Sequence, residues 1–249
     1  MDRVGRKRVV CFGSSSGEML DYLFGDSPNY FSLWCSGNPA RAMPETFGLI
    51  DAAIGSSGDG AIALCVGGTS DVLFHMQHVA STYGVLDAEE VMTSAVNGLV
   101  QFEAFLKTKG FSQVIWLFFS PVVPLPATHW IDGFDIAEPL PNLLLANILR
   151  ETARRACLRL DYGIDLFDAL TISPERPFLK EAFRRDGPDH HPDYTKIQDL
   201  VWGSIRKIPG LPRRRRPELT QLYQHVPRSM DNVFSPRNPV IQRLNGVKV

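Results

Sequence analysis

The sequence predicts a three-layer α/β/α sandwich built around a central five-stranded parallel sheet. Two observations carry this expectation. Short, continuously apolar runs recur along residues 1–204, each stopped by small or polar residues, and stretches with helical spacing fall between them. Strands that are apolar on both faces belong to parallel sheets covered by helices on both sides. Alternating β and α elements fold through right-handed crossovers into a doubly wound sheet.

The strand candidates come in order. Residues 8–12 end at Gly13, residues 30–35 at Ser36-Gly37, and residues 61–66 at Gly67-Gly68. Residues 114–119 end at Ser120-Pro121, and residues 164–167 form a weaker fifth run. β-formers bounded by glycine, serine and proline are the local signature of such strands. Helices are expected over 45–54, 87–109, 143–159 and 193–206. Asp87 with Glu90 forms a capping-box pattern, and arginines gather near the end of 143–159, where the helix dipole favours them. Two longer segments, 72–85 with His75 and His78, and the proline-rich 122–142 with Trp130 and Phe134, are expected to overhang the carboxyl ends of the strands. Ligand sites of open α/β sheets lie at those ends.

The chain has 249 residues, 44% of them hydrophobic and 21% charged, with 26 basic and 27 acidic side chains and a formal net charge of -1. A chain of this length can bury a core without disulfides or metals. No run approaches the roughly 18 apolar residues of a membrane span. The basic start leads into an apolar run too short for a secretory signal, so a cytoplasmic protein without a membrane span is expected. Cys11, Cys35, Cys65 and Cys157 form no CxxC pair and read as small hydrophobes in a reducing compartment.

Charge is unevenly spread. Residues 205–249 carry ten basic and two acidic side chains (+8), against 16 and 25 (-9) in residues 1–204. The division expected is a domain over 1–206 followed by a basic, proline-containing extension over 207–249. Arg213 to Arg216, between Pro212 and Pro217, suggests an exposed, extended segment. Without a nucleic-acid motif or a helical basic stripe, it is expected to lie across its own acidic domain or oligomer rather than on nucleic acid. Val240, Ile241, Val247 and Val249 hint at packing onto another subunit.

Two segments could carry chemistry. Gly13-Ser14-Ser15-Ser16-Gly17-Glu18 places a serine on a tight turn opening a helix. There its hydroxyl can act as a nucleophile and its N–H can stabilise an oxyanion; anion binding or helix capping are the other uses of such a turn. Far downstream, Asp186 to Tyr194 offers a histidine beside an acid, just before the last helix, suited to a general base for that serine. Asp189, His190, His191 and Asp193 are also metal-ligand types. No second cluster has convincing spacing, and His75 with His78 would have to meet them through the fold, so neither metal nor cofactor is expected.

Together these segments resemble the SGNH/GDSL family of serine hydrolases over about residues 8–206. Gly13-Ser14-Ser15 stands where the family reads Gly-Asp-Ser, so Ser15 takes the nucleophile position. Gly37 in Cys35-Ser36-Gly37-Asn38 fits the block that gives a glycine N–H to the oxyanion hole. Gly68-Thr69-Ser70-Asp71 stands for Gly-x-Asn-Asp, with Ser70 in place of the oxyanion-hole asparagine. His191-Pro192 matches the end of the last block, whose acid lies three residues before the histidine; here that residue is Pro188, and Asp189 sits two before.

The resemblance implies an acyl-Ser15 intermediate, His191 as base, Asp189 as its orienting acid, and Gly37 and Ser70 in the oxyanion hole. Asp71, His75, Asn38 and Trp130 are candidate substrate contacts. The activity implied is hydrolysis of a small, carbohydrate or lipid-type ester, or O-acyl transfer to an alcohol. Alternatives are a catalytically impaired member acting as a binding protein, and a flavodoxin-like FMN-binding protein, whose phosphate loop also follows the first strand. A dinucleotide fold is disfavoured, because GxGxxG is absent after the first strand.

Overall fold

The computed structural model describes residues 6–67, 69–223 and 227–249. Five parallel strands form one sheet: β1 (Val9–Gly13), β2 (Tyr30–Ser32), β3 (Ile62–Val66), β4 (Gln113–Phe118) and β5 (Gly163–Asp165), in the order β2-β1-β3-β4-β5. The register pairs Val9 with both Tyr30 and Ile62, Ile62 with Gln113, and Trp116 with Gly163. The order reverses between β1 and β3, and it is there that an open α/β sheet leaves a crevice. β1 and β3 are buried along their whole lengths, as their unbroken apolar sequences require.

The helices are α1 (Glu18–Phe24), α2 (Phe47–Ile54), α3 (Gln77–Tyr83), α4 (Ala88–Thr108), α5 (Ala127–Phe134), α6 (Asn142–Arg159), α7 (Phe167–Leu170), α8 (Tyr194–Ile205), α9 (Met230–Val233) and α10 (Pro239–Leu244). Their starts follow local chemistry. Asp87 caps α4 by accepting from the Glu90 N–H at 2.9 Å, and Asp193 caps α8 by accepting from the Thr195 N–H at 3.0 Å. Phe12, Phe102 and Trp116 meet edge-to-face, with centroids 5.6 and 6.1 Å apart, between α4 and the sheet. Among the described residues no helix is long and apolar enough to cross a membrane.

Several expectations need correction. The segment 72–85 is no open overhang. It is a wide helical turn (Asp71–Met76) running into α3, with Val72, Leu73 and Met76 buried. α1 is the helix expected to open after the Ser15 turn; its extent is not legible in the sequence, because every residue in it is buried and a helix covered all round shows no amphipathic stripe. Its Asp21 accepts from Tyr30 Oη at 2.6 Å and Trp34 Nε1 at 2.9 Å, which satisfies the buried carboxylate. β2 ends at Ser32, short of the expected run, but residues 33–35 stay beside β1, with Leu33 N–H donating to Cys11 O at 2.9 Å and Cys35 N–H to Gly13 O at 2.8 Å.

The basic tail lies against its own chain. Arg215 N–H donates to Leu23 O at 2.9 Å, Leu222 N–H to Tyr22 Oη at 2.7 Å, and Arg243 Nη2 to Tyr30 O at 2.7 Å. Arg214 reaches Asp199 at 2.6 Å and Arg215 pairs with Glu218, while Arg213 and Arg216 stay exposed. Val233, Phe234, Ile241 and Leu244 join the core, so Ile241 packs within this chain; Val247 and Val249 are exposed. Cys11, Cys35 and Cys65 are buried and Cys157 partly so, and none is in a disulfide. Burial pushes the Cys35 thiol up to about 12, which suits a packed side chain and not a nucleophile.

Candidate active site

The first half of the site is set by the turn after β1. Gly13 has φ +128°, and a Cβ there would lie 1.7 Å from Val66 O, so only glycine lets β1 run this close to β3 before turning. Ser14 N–H then donates to Val66 O at 3.3 Å. Ser15–Gly17 make a single tight helical turn that leads into α1. Ser15 therefore stands at the start of helical backbone, where N–H groups lack partners within the helix. Beneath it, Ser120 Oγ donates to Ser16 Oγ at 3.0 Å, tying this turn to the end of β4.

The second half comes from the loop before α8. A bridge between Arg184 and Pro192, and a bond from Asp193 N–H to Phe183 O at 2.8 Å, fold residues 183–193 back on themselves. His191 Nε2 lies 2.8 Å from Ser15 Oγ, and its Nδ1 lies 2.9 Å from Asp189 Oδ1. The same Oδ1 accepts from the His191 backbone N–H at 2.8 Å. An ionised carboxylate only accepts, so the ring proton belongs on Nδ1, which leaves the Nε2 lone pair facing the Ser15 hydroxyl. Burial alone would raise the Asp189 carboxyl. The hydrogen bond and charge of His191, with the charge of Arg185, outweigh burial and hold it well below the usual carboxylate range.

Ser15 and His191 open onto a cleft of about 520 Å³. One wall is Phe74, Phe134 and His190, whose rings lie 4.9 to 5.5 Å apart. Glu18, Trp34, Tyr223, Arg185, Ser36 and Gly37 also line the cleft. Gly37 has φ +67°, a left-handed conformation that a side chain would strain. The turn at Gly37 is held by the tail, since Ser36 N–H donates to Arg228 O at 2.8 Å and Arg228 N–H donates to Ser36 Oγ at 3.1 Å.

The structure brings together Ser15, His191, Asp189 and Gly37. Other expected site residues lie elsewhere. Ser70 is buried at the start of a helical segment and is absent from the lining of the cleft; its hydroxyl is shorter than the asparagine amide of the family pattern. Gly68 lies outside the described residues. Asp71 is wholly buried and accepts from the N–H groups of Ala40 at 2.6 Å and Arg41 at 3.2 Å, so it fastens the segment after Gly37 and does not face a substrate. His75 lines a separate depression with Val79, Glu90 and Ser94. Asn38 is half-buried beside Gly37, outside the lining. Trp130 is buried behind Phe74 and Phe134, backing the aromatic wall without lining it.

Sequence reasoning missed Glu18 and Arg185. Their signal was local: Glu18 lies one helical turn after Ser15, and Arg185 lies four residues before Asp189. Burial pushes the Glu18 carboxyl up to about 7, partly offset by the charge of Arg185, whose Nη2 lies 3.8 Å from Glu18 Oε2. Among the described residues, Asp189, His190 and His191 could share a cation, with ligand atoms within 4.8 Å of one another. The Asp189–His191 separation is that of a hydrogen bond, which places a proton, not a lone pair, on the Nδ1 facing the carboxylate.

No family model matches the chain, and no curated protein matches it. Solved structures do. A provisionally designated acylhydrolase from Bacteroides fragilis superposes with a TM-score of 0.51 at 17% identity, over 81% of this chain and 87% of that one. A provisionally designated platelet activating factor from Streptococcus pneumonia gives 0.50 at 18% identity, over 82% and 84%. A GDSL-like lipase from Bacteroides thetaiotaomicron gives 0.48 at 17% identity, over 81% and 88%. At such identities the likeness is one of fold. With the first two this chain shares an α/β architecture, here a five-stranded parallel sheet in the order β2-β1-β3-β4-β5 with helices on its faces.

Proposed function

We propose that the chain is a serine-dependent ester hydrolase working through an acyl-Ser15 intermediate. The observation that carries this reading is the 2.8 Å approach of Ser15 Oγ to His191 Nε2, with Asp189 at 2.9 Å behind the ring. His191 takes the hydroxyl proton as Oγ attacks the ester carbonyl, and returns it to the leaving alcohol. Asp189 holds the tautomer and offsets the charge of the imidazolium. The N–H groups of Ser15 and Gly37 receive the oxyanion. Water then enters beside His191 in the place the alcohol left; His191 takes its proton as the water oxygen attacks the acyl carbon, and returns that proton to Ser15 Oγ as the acyl–Oγ bond breaks and the acid leaves. Transfer to an alcohol in place of water gives the O-acyltransferase variant of the same chemistry.

The aromatic wall of Phe74, Phe134 and His190 favours an ester with an apolar group on that side of Ser15. The substrate class is a small or carbohydrate/lipid-type ester. Ser15→Ala is expected to abolish turnover of p-nitrophenyl acetate while leaving the melting transition in place. Activity equal to the parent protein removes Ser15 from the mechanism.

The placement of Ser70 outside the cleft favours one second reading, an impaired member that binds esters and turns them over slowly. Loss of one oxyanion donor costs roughly 100- to 1,000-fold in rate. Covalent labelling of Ser15 by a fluorophosphonate distinguishes a competent nucleophile from a binding protein.

A further inference from the structure

Arg185 is placed unlike an ordinary loop arginine. Its side chain is only 8% exposed. Nη1 donates to Asp189 Oδ2 at 3.0 Å, and Nε donates to Pro192 O at 3.0 Å. The guanidinium carbon lies 4.9 Å from the centroid of the Tyr194 ring. One planar group thus grips the chain on both sides of His191, at the residue two before it and the residue just after, while resting on the first residue of α8.

We infer that Arg185 is a positioning residue that locks the Asp189 carboxylate and the turn through His191 in the geometry the imidazole needs. The inference rests on the serine-hydrolase reading above. Its physical basis is the short Asp-x-His spacing. With one residue between them, Asp189 Oδ1 receives both the backbone N–H and the ring Nδ1 of His191, at 2.8 and 2.9 Å. Two donors of one residue on one oxygen leave the carboxylate able to pivot about that oxygen. A turn in which it bonds the backbone alone costs little. Arg185 fixes the other oxygen through Nη1, while Nε, in the same plane, is anchored on Pro192 O; a guanidinium can hold both partners in one fixed geometry, which the compact ammonium of a lysine cannot.

The charge of Arg185 would by itself oppose a positive imidazolium beside it. Two acids flank the guanidinium, Asp189 at 3.0 Å and Glu18 at 3.8 Å. Asp189 is the acid that bonds the guanidinium directly, and Glu18, whose carboxyl burial pushes up to about 7, adds its negative charge there as it ionises. Arg185 acts through Asp189, which it bonds at 3.0 Å and which in turn bonds His191 Nδ1 at 2.9 Å.

The test uses the full chain and p-nitrophenyl acetate, with Arg185→Ala, Arg185→Lys and Ser15→Ala side by side. Arg185→Ala is expected to lower kcat by roughly 10- to 100-fold, the scale of a misplaced catalytic group, with KM within about 2-fold. The acid limb of its kcat/KM profile is expected to move to higher pH, because removing a nearby cation favours the protonated ring. Millimolar methylguanidinium is expected to restore part of kcat in Arg185→Ala and none in Ser15→Ala, and Arg185→Lys to recover only a minor share. Full kcat with an unmoved acid limb overturns the inference. So does a loss of kcat that tracks a loss of folded protein and does not respond to methylguanidinium. Ser15→Ala retaining activity overturns the hydrolase reading itself, and this inference with it, which separates that failure from a failure of Arg185 alone.

Discussion

The guanidinium of Arg228 lies 4.0 Å from the centroid of the Trp34 ring. Its Nη2 donates to Ser32 O at 2.6 Å and its Nη1 to Ser32 Oγ at 2.9 Å. A residue from the basic tail thereby grips the edge strand β2 and backs a wall of the cleft. The same residue's backbone holds the turn at Gly37, where an oxyanion donor is proposed.

Arg228→Ala removes the stacked cation and two side-chain hydrogen bonds but keeps the backbone pairing with Ser36. Each such contact contributes about 1 kcal/mol net. The expected outcome is a loss of about 1–3 kcal/mol in urea denaturation, earlier proteolytic cutting within residues 207–249, and a fall of several-fold in kcat/KM for p-nitrophenyl acetate. A variant as stable and as active as the parent would show that the tail is a passive cover.

Glu18 gives a pH signature. Its folded pKa of about 7 stands above the ordinary 4.5, chiefly through burial. Folding therefore favours the protonated carboxyl. The stability that it contributes is fully present below about pH 4.5 and is lost as pH rises through about 7. Glu18→Gln keeps the neutral form at every pH. It is expected to match the parent near pH 4.5 and to exceed it by about 1–2 kcal/mol at pH 8, since one pKa unit is worth about 1.4 kcal/mol and solvent at the cleft reduces the whole. Urea titrations at the two pH values check the sign, and a variant less stable than the parent at pH 8 contradicts the assignment.

Phe134 tests the aromatic wall with little structural cost, because it is 37% exposed. Burying a Phe face against a ligand contributes about 1–2 kcal/mol. Phe134→Ala is expected to lower kcat/KM for p-nitrophenyl hexanoate by roughly 10-fold, and for the acetate by no more than about 2-fold. Equal losses on both esters would place the apolar group of the substrate elsewhere.

Much of this protein is decided by local pattern. The apolar runs at Val9–Gly13, Ile62–Val66 and Gln113–Phe118, alternating with helical stretches, point to buried parallel strands, because a sheet covered by helices satisfies their backbones while covering both faces. The Gly13-Ser14-Ser15 turn and the Asp189–His191 segment were legible as chemistry because few residue types suit those tasks. Only the tertiary structure could decide which groups meet. Ser15 and His191 are 176 residues apart, and Glu18, Arg185, Phe74 and Tyr223 reach one cleft from four different segments. It also withdrew Ser70, Asp71 and His75 from the cleft. A sequence records which side chains can bond or titrate. Distance, burial and the direction in which a side chain points arise only when segments remote along the chain pack together, and those three quantities separate a site residue from a buried strut.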